Sequence, residues 1–223
     1  MKTHTDIAPD IARFNMVEQQ ISTCQVLDLK VLSLLSSLDR HLFVPAAFQA
    51  LAYSDTELPL AHSECMLAPR VDARLLQDLQ LQAHEHVLEI GTGSGYLTAL
   101  LAMSCAHVTS LECHADFIAP AQQRLHACGL RNIDLRHSEG VPAHSTVQTY
   151  DAIVLGGSVA SVPLALLAML KPGGRLLGVI GEEPVMCATR VVRQADGQGH
   201  SQTLWDVVIP RLHGFAEKTA FHF

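Results

Sequence analysis

The sequence predicts an α/β fold: a doubly wound, mostly parallel sheet with helices on both faces and an N-terminal helical extension. Three observations lead there. From residue 86 onward, short apolar runs alternate with helix-length stretches, the pattern of parallel strands joined by crossover helices. One of these runs, Val87-Leu88-Glu89-Ile90, stops at Gly91-Thr92-Gly93-Ser94-Gly95 and passes straight into a helical stretch. Upstream, residues 11–38 and 69–79 carry apolar positions at helical spacing.

Taken in order, residues 11–38 should hold about two helices, with Val26, Leu29, Leu32 and Leu35 among their apolar positions, before Arg40-His41-Leu42-Phe43-Val44-Pro45. Residues 53–68 read as polar and irregular, with Pro59 among them. Pro69 suits the first turn of a helix on which Val71, Leu75 and Leu79 share one face. A strand over 87–90 precedes the glycine turn and a helix over 97–103 follows it. A strand over 107–111 ends in Glu112, a helix over 115–128 stops at Gly129, and a short strand over 133–136 runs into His137-Ser138-Glu139-Gly140. Residues 150–155 form a buried strand and 163–170 a helix. Lys171-Pro172-Gly173-Gly174 reads as a turn before a strand over 175–180. Residues 186–193 and 203–210 alternate as two further strands, an antiparallel edge. One domain accounts for the chain, with a helical and loop region over 1–83, a strand–helix core over 84–181 and edge strands with a tail over 182–223.

Composition removes several function classes. The 223 residues can bury a sizeable core. Fifteen Lys and Arg against 22 Asp and Glu leave a formal charge of −7, which gives no electrostatic support for nucleic-acid binding. No apolar run approaches the roughly 20 residues of a membrane span, and Met1-Lys2-Thr3-His4-Thr5-Asp6 lacks a secretory pattern. A cytoplasmic protein is expected. Cys24, Cys65, Cys105, Cys113, Cys128 and Cys187 are scattered with no CxxC pair, so reduced thiols are expected and neither disulfides nor a metal set. There is no HExxH among the 13 histidines, and His84-Glu85-His86 reads as a surface turn. No metal is expected.

The glycine turn is the chemical landmark. Glycine lets backbone approach a ligand closely, and a helix N-terminus offers free N–H groups. A phosphate-binding loop needs a Lys after the glycines, which is missing; the dinucleotide fingerprint GxGxxG would put glycine where Tyr96 stands. The spacing GxGxG with Glu89 two residues upstream resembles motif I of S-adenosylmethionine (AdoMet) dependent methyltransferases, which have a Rossmann-like fold. Glu112, about 20 residues on, is placed to accept the ribose hydroxyls, and Glu139 to meet the adenine edge. Tyr150 to Leu155 and Leu170 to Leu177 look like later core strands of the same class. The cofactor residues expected are Glu89, Gly91, Thr92, Gly93, Ser94, Gly95, Tyr96, Glu112, Cys113, Glu139 and Gly140, and the cofactor AdoMet.

The likeness extends upstream. Met16-Val17-Glu18-Gln19-Gln20-Ile21, Arg40-His41-Leu42-Phe43-Val44-Pro45, Ala52-Tyr53-Ser54-Asp55 and Leu58-Pro59-Leu60 resemble segments of protein-L-isoaspartate O-methyltransferases, over roughly residues 15–212. The resemblance implies transfer of the AdoMet methyl to the α-carboxylate of an isoaspartyl residue in a damaged protein, which would be the partner. One loop departs. Where the family has Gly-x-Gly-Gln-Thr-Ile-Ser-x-Pro, this chain has Ala61-His62-Ser63-Glu64-Cys65-Met66-Leu67-Ala68-Pro69. The acceptor-side candidates are therefore His62, Ser63, Glu64, Cys65, Met66 and Leu67. Leu67 stands at the family's active-site Ser and cannot donate a hydrogen bond; Glu64 adds negative charge where an anion should approach. Two alternatives follow: a methyltransferase with a less polar acceptor, and a non-catalytic AdoMet-binding protein.

Overall fold

A computed structural model describes residues 4–140 and 149–215, with side chains from residue 10 onward. The expectation for the C-terminal tail (216–223) lies outside the described residues. Helices α1 (His4–Asn15) and α2 (Leu29–Ser37) open the chain. A short hairpin, β1 (Leu58–Pro59) with β2 (Cys65–Met66), precedes α3 (Pro69–Leu79). The remainder alternates: β3 (His86–Ile90), α4 (Tyr96–Ala102), β4 (His107–Glu112), α5 (Ala115–Ala127), β5 (Ile133–His137), β6 (Tyr150–Val159), α6 (Leu164–Met169), β7 (Leu170–Glu182), β8 (Val185–Arg193) and β9 (Gly199–Asp206). Their sheet has the order β5-β4-β3-β6-β7-β8-β9. Strands β5, β4, β3, β6 and β7 pair in parallel, and β8 and β9 add an antiparallel edge.

Strand order reverses at β3, between β4 and β6. Ligand clefts of open α/β sheets form at such a switch point, beyond the carboxyl ends of the strands. The glycine turn lies there. Behind it the sheet is dry on both faces: Leu88, Val108, Ile153 and Leu176 are fully buried. Continuous apolar strands are what a sheet covered on two sides requires.

Helix α3 forms as its sequence demands. Pro69 occupies its first turn, and Val71, Leu75 and Leu79 are buried on one face. Each such side chain contributes roughly 1.5–3 kcal/mol when fully buried. The face of α2 differs from expectation. Leu29 is 80% exposed at the helix start, and the buried row is Val31, Leu35 and Leu38. Asp28 caps the helix by accepting from the Lys30 amide, which fixes the start and turns Leu29 outward. Lys171 to Gly174 also differ: they bulge within β7, whose register against β6 jumps between Tyr150↔Leu170 and Ala152↔Arg175. The last strand begins at Gly199, four residues earlier than read from the sequence. Glu85 is buried and paired bidentately with Arg175 at 2.7 Å, so His84-Glu85-His86 is only partly a surface turn. All six cysteines are free. Among the described residues no helix is long and apolar enough to cross a membrane.

Candidate functional site

The turn after β3 takes three left-handed glycines, Gly91 at φ 94°, Gly93 at φ 51° and Gly95 at φ 88°. Side chains are strained at such angles. The glycines do different jobs. A Cβ on Gly91 would lie 3.0 Å from Cδ2 of Leu212, so this position faces the cleft and the chain's C-terminal segment. On the other side of the turn, a Cβ on Gly95 would lie 3.4 Å from Ala121 on α5. Gly156 on β6 closes the other side, where any Cβ would meet the Gly91 carbonyl oxygen at 2.8 Å.

Two acidic residues organise the turn. Glu89 is fully buried, and its Oε2 accepts hydrogen bonds from Thr98 Oγ1 and Ser110 Oγ, both at 2.6 Å. Burial pushes its carboxyl up to about 8, partly offset by those hydroxyls. Its Oε1 has no hydrogen-bond partner among the described residues. Glu112 ends β4 and turns back: Oε2 accepts from the Gly93 amide at 2.8 Å, and Oε1 from the His114 amide at 2.9 Å. Its carboxylate thus braces the turn. Thr92 shares a 2.6 Å hydrogen bond with Ser110, and Tyr96 is buried against Phe43 at a ring separation of 5.6 Å.

Arg40 ties this cofactor side to the acceptor side. It is fully buried, pairs with Asp72 Oδ2 at 2.9 Å, donates to the Leu67 carbonyl at 2.7 Å and lies 4.5 Å from the centre of the Tyr96 ring. Burial raises the Asp72 carboxyl to about 6 against the pull of Arg40. Neither was among the residues expected at the site; an isolated Arg and an Asp 32 positions apart form no motif.

The acceptor-side candidates form the tip and second strand of the β1–β2 hairpin. Leu60 N donates to Glu64 O at 2.8 Å, and His62 and Ser63 are both left-handed at φ 58° and 62°. His62 stacks on His114 at 4.3 Å and bonds Asp116 at 2.8 Å, above α5 and outside the cleft. Glu64 is paired, not free: its Oε1 meets His114 Nε2 at 3.0 Å and His213 Nε2 at 2.9 Å. Leu67 is 7% exposed and does both things open to it, packing into the core and lining the cleft. Burial and neighbouring carboxylates push the Cys65 thiol up to about 12 and the Cys113 thiol to about 11, so neither is an activated nucleophile.

Two adjoining pockets result. One is lined by Cys65, Met66, Leu67, Gly91 to Ser94 and Tyr96; the other by Glu64, Gly93, Glu112, Cys113, Leu212 and His213, and both include Gly91 and Gly156. They are narrow, about 40 and 60 Å³ of free volume, because Leu212 and the hairpin press on the turn. Glu139 and Gly140 stand apart, beyond β5, where the Gly214 backbone packs on them. Glu139 is exposed and lines neither pocket.

A family model described as Protein-L-isoaspartate(D-aspartate) O-methyltransferase matches residues 12–211. A protein-L-isoaspartate O-methyltransferase of Herpetosiphon aurantiacus is 36% identical over 191 residues, covering 86% of this chain and 84% of that one. The Geobacter metallireducens enzyme of the same name is 36% identical over 188 residues, covering 84% and 87%. In fold, a Plasmodium falciparum chain assigned to the same methyltransferase class and crystallised with S-adenosyl-L-homocysteine superposes with a TM-score of 0.74 at 20% identity, over 92% of this chain and 97% of that one. The segments around the glycine turn, the hairpin and Arg40 all fall inside the matched span, and the chain belongs to the protein-L-isoaspartate(D-aspartate) O-methyltransferase family.

Proposed function

We propose that this chain is an AdoMet-dependent protein-L-isoaspartate O-methyltransferase acting in protein repair, with the cofactor on the Gly91–Gly95 turn and the acceptor under the β1–β2 hairpin. The observation that carries it is the meeting of these two elements: the turn braced by Glu112 and the hairpin anchored through Arg40 face one cleft at the switch point of a sheet whose family match spans nearly the whole chain. The residues suit the cofactor. Gly91 and Gly93 hold left-handed backbone that side chains rarely adopt, open to close approach by a ligand. Glu112 keeps spare lone pairs beside its two backbone donors, so it can still accept from ribose hydroxyls. Glu139, exposed beyond β5 and outside both pockets, is the proposed partner of the adenine edge once the cofactor extends past them. Small-molecule sites are typically ~300 Å³ or more; cofactor entry therefore requires Leu212 and the 210–214 segment to move outward. Bound there, AdoMet would supply an electrophilic methyl group.

The protein's own task is then positioning. A carboxylate with a free pKa near ~4 is already ionised at neutral pH, so no general base is needed. The chain must desolvate that oxygen and align it, work suited to the apolar Leu67, Met66 and Leu212. Glu64 and Glu112 would repel an anion. Imidazoles on Glu64 and amide N–H groups on Glu112 reduce that repulsion. The six free cysteines suit a reducing compartment such as the cytoplasm.

Leu67 in place of a hydroxyl donor favours a second reading, a less polar acceptor. One assay separates them: incubation with labelled AdoMet and an isoaspartyl peptide, with its aspartyl twin as control. Transfer to the isoaspartyl peptide alone is expected. AdoMet binding with no peptide transfer, and labelling of a metabolite extract instead, would overturn the repair function in favour of a different acceptor.

A further inference from the structure

We propose that Glu64, Cys113 and His114, completed by His213, form a binding site for a divalent transition metal of the zinc class at the mouth of the acceptor cleft. The ligand atoms of Glu64, Cys113 and His114 lie within 4.8 Å of one another, and all three residues are partly buried. His213 brings its Nε2 to 2.9 Å from the Glu64 Oε1 that also meets His114 at 3.0 Å, so two imidazole nitrogens already converge on one carboxylate oxygen.

The donor set fits the metal. One thiol, one carboxylate and two imidazoles are the borderline N, S and O donors that zinc accepts, at bond lengths of roughly 2.0–2.3 Å in a tetrahedron. Small side-chain rotations bring the Glu64, Cys113 and His114 donors, which lie within 4.8 Å of one another, to three corners of such a tetrahedron. His213, 2.9 Å from the Glu64 carboxylate, supplies the fourth by turning in. The surroundings hold the donors in place. The His114 amide is bonded to Glu112, its ring stacks on His62 at 4.3 Å and meets Phe117 edge-on at 5.4 Å, and Glu64 is fixed by the hairpin bond from its own N–H to Ala61 O. Spacing rules for metal motifs miss the site because its ligands come from three segments: the hairpin tip, the end of β4 and the C-terminal strap. Binding releases the Cys113 thiol proton to solvent. It also links the three segments and offsets the Glu64 charge where the cleft opens, a role that does not depend on which acceptor is methylated.

The test uses the full chain, stripped with a chelator and titrated with Zn²⁺ against a chromophoric competitor, then with Co²⁺. One Zn²⁺ per chain and a near-ultraviolet thiolate-to-Co²⁺ absorption band are expected. Cys113→Ser should abolish the band. His213→Ala, at an exposed position, should weaken Zn²⁺ binding at least about tenfold, the scale at which even outer-shell losses register. His84→Ala, remote and exposed, should change nothing. Far-UV circular dichroism checks that each variant is folded. Equal Zn²⁺ affinity in wild type and both site variants, or a Co²⁺ spectrum without a thiolate band, would overturn the site.

Discussion

Glu112 Oε2 accepts the Gly93 amide at 2.8 Å across the gap between β4 and β3, joining the second acidic landmark of the sequence to the first. The relationship explains how a left-handed turn with few side chains of its own stays open and in place. Its other oxygen takes the His114 amide, so one carboxylate sets both the cofactor turn and the start of α5. A charged acceptor with two amide donors is among the stronger hydrogen-bonding arrangements in a protein.

Glu112→Ala should therefore weaken AdoMet binding by about 1.5–3 kcal/mol, the order for losing a charged acceptor. Part of that loss comes from turn disorder. Glu112→Gln, which keeps one acceptor oxygen, should recover part of the affinity. Calorimetric titration reads both; unchanged affinity in the alanine variant would remove Glu112 from the cofactor site.

The buried Glu89 sets a pH dependence of stability. Its carboxyl is held near 8 in the fold and returns to about 4.5 when unfolded. Between those values the native state keeps a proton that the unfolded chain has released. Unfolding free energy therefore falls as pH rises from about 4.5 to 8. Asp72, raised to about 6, acts in the same direction over the lower part of that range. Urea midpoints should decline from pH 5 to pH 8 in the wild type, and Glu89→Gln should flatten the decline above pH 6, leaving the Asp72 share below it.

Much of this architecture is legible in residue patterns. The GxGxG turn, Glu112 at a strand end and the Val71, Leu75, Leu79 stripe are local signals, each contained in a few consecutive residues or one helical repeat. What sequence misses is set by long-range contact. Leu29 falls on the expected apolar register, yet the Asp28 cap turns it to solvent. Leu212 and His213 carry no local signal, and long-range ties of their segment to Ser158 and Gly181 lay them across Gly91 and Glu64. Gly95 shares the left-handed backbone of Gly91 and Gly93, but its neighbour Ala121 lies 26 positions away on α5, a contact no local pattern shows.

The Arg40–Asp72 pair should be costly to break from one side. Asp72→Asn leaves a fully buried guanidinium without its charge partner, a change worth about 3–5 kcal/mol. Arg40→Met leaves a buried carboxyl that can neutralise itself by keeping its proton. Its cost should be smaller at pH 5 than at pH 8, where Asp72 would have to remain protonated against solvent or ionise without a partner. It also frees the Leu67 carbonyl, so the acceptor KM should rise more than the AdoMet Kd. Denaturant melts at the two pH values, with steady-state kinetics beside them, check both parts.

Ser63 carries a backbone strain: it sits at φ 62°, directly after His62 at φ 58°. A left-handed conformation costs an L residue roughly 1–2 kcal/mol, and glycine avoids that cost while losing more entropy on folding. Ser63→Gly should thus stabilise the chain by about 0.5–1 kcal/mol, and Ser63→Val, β-branched at a left-handed position, should destabilise it by more. Thermal denaturation decides the sign. Methyl transfer decides why the strain persists. If the Ser63 hydroxyl replaces the donor lost at Leu67, Ser63→Gly will be more stable and slower with the isoaspartyl peptide; if the hairpin needs only its shape, the variant will be more stable and equally fast.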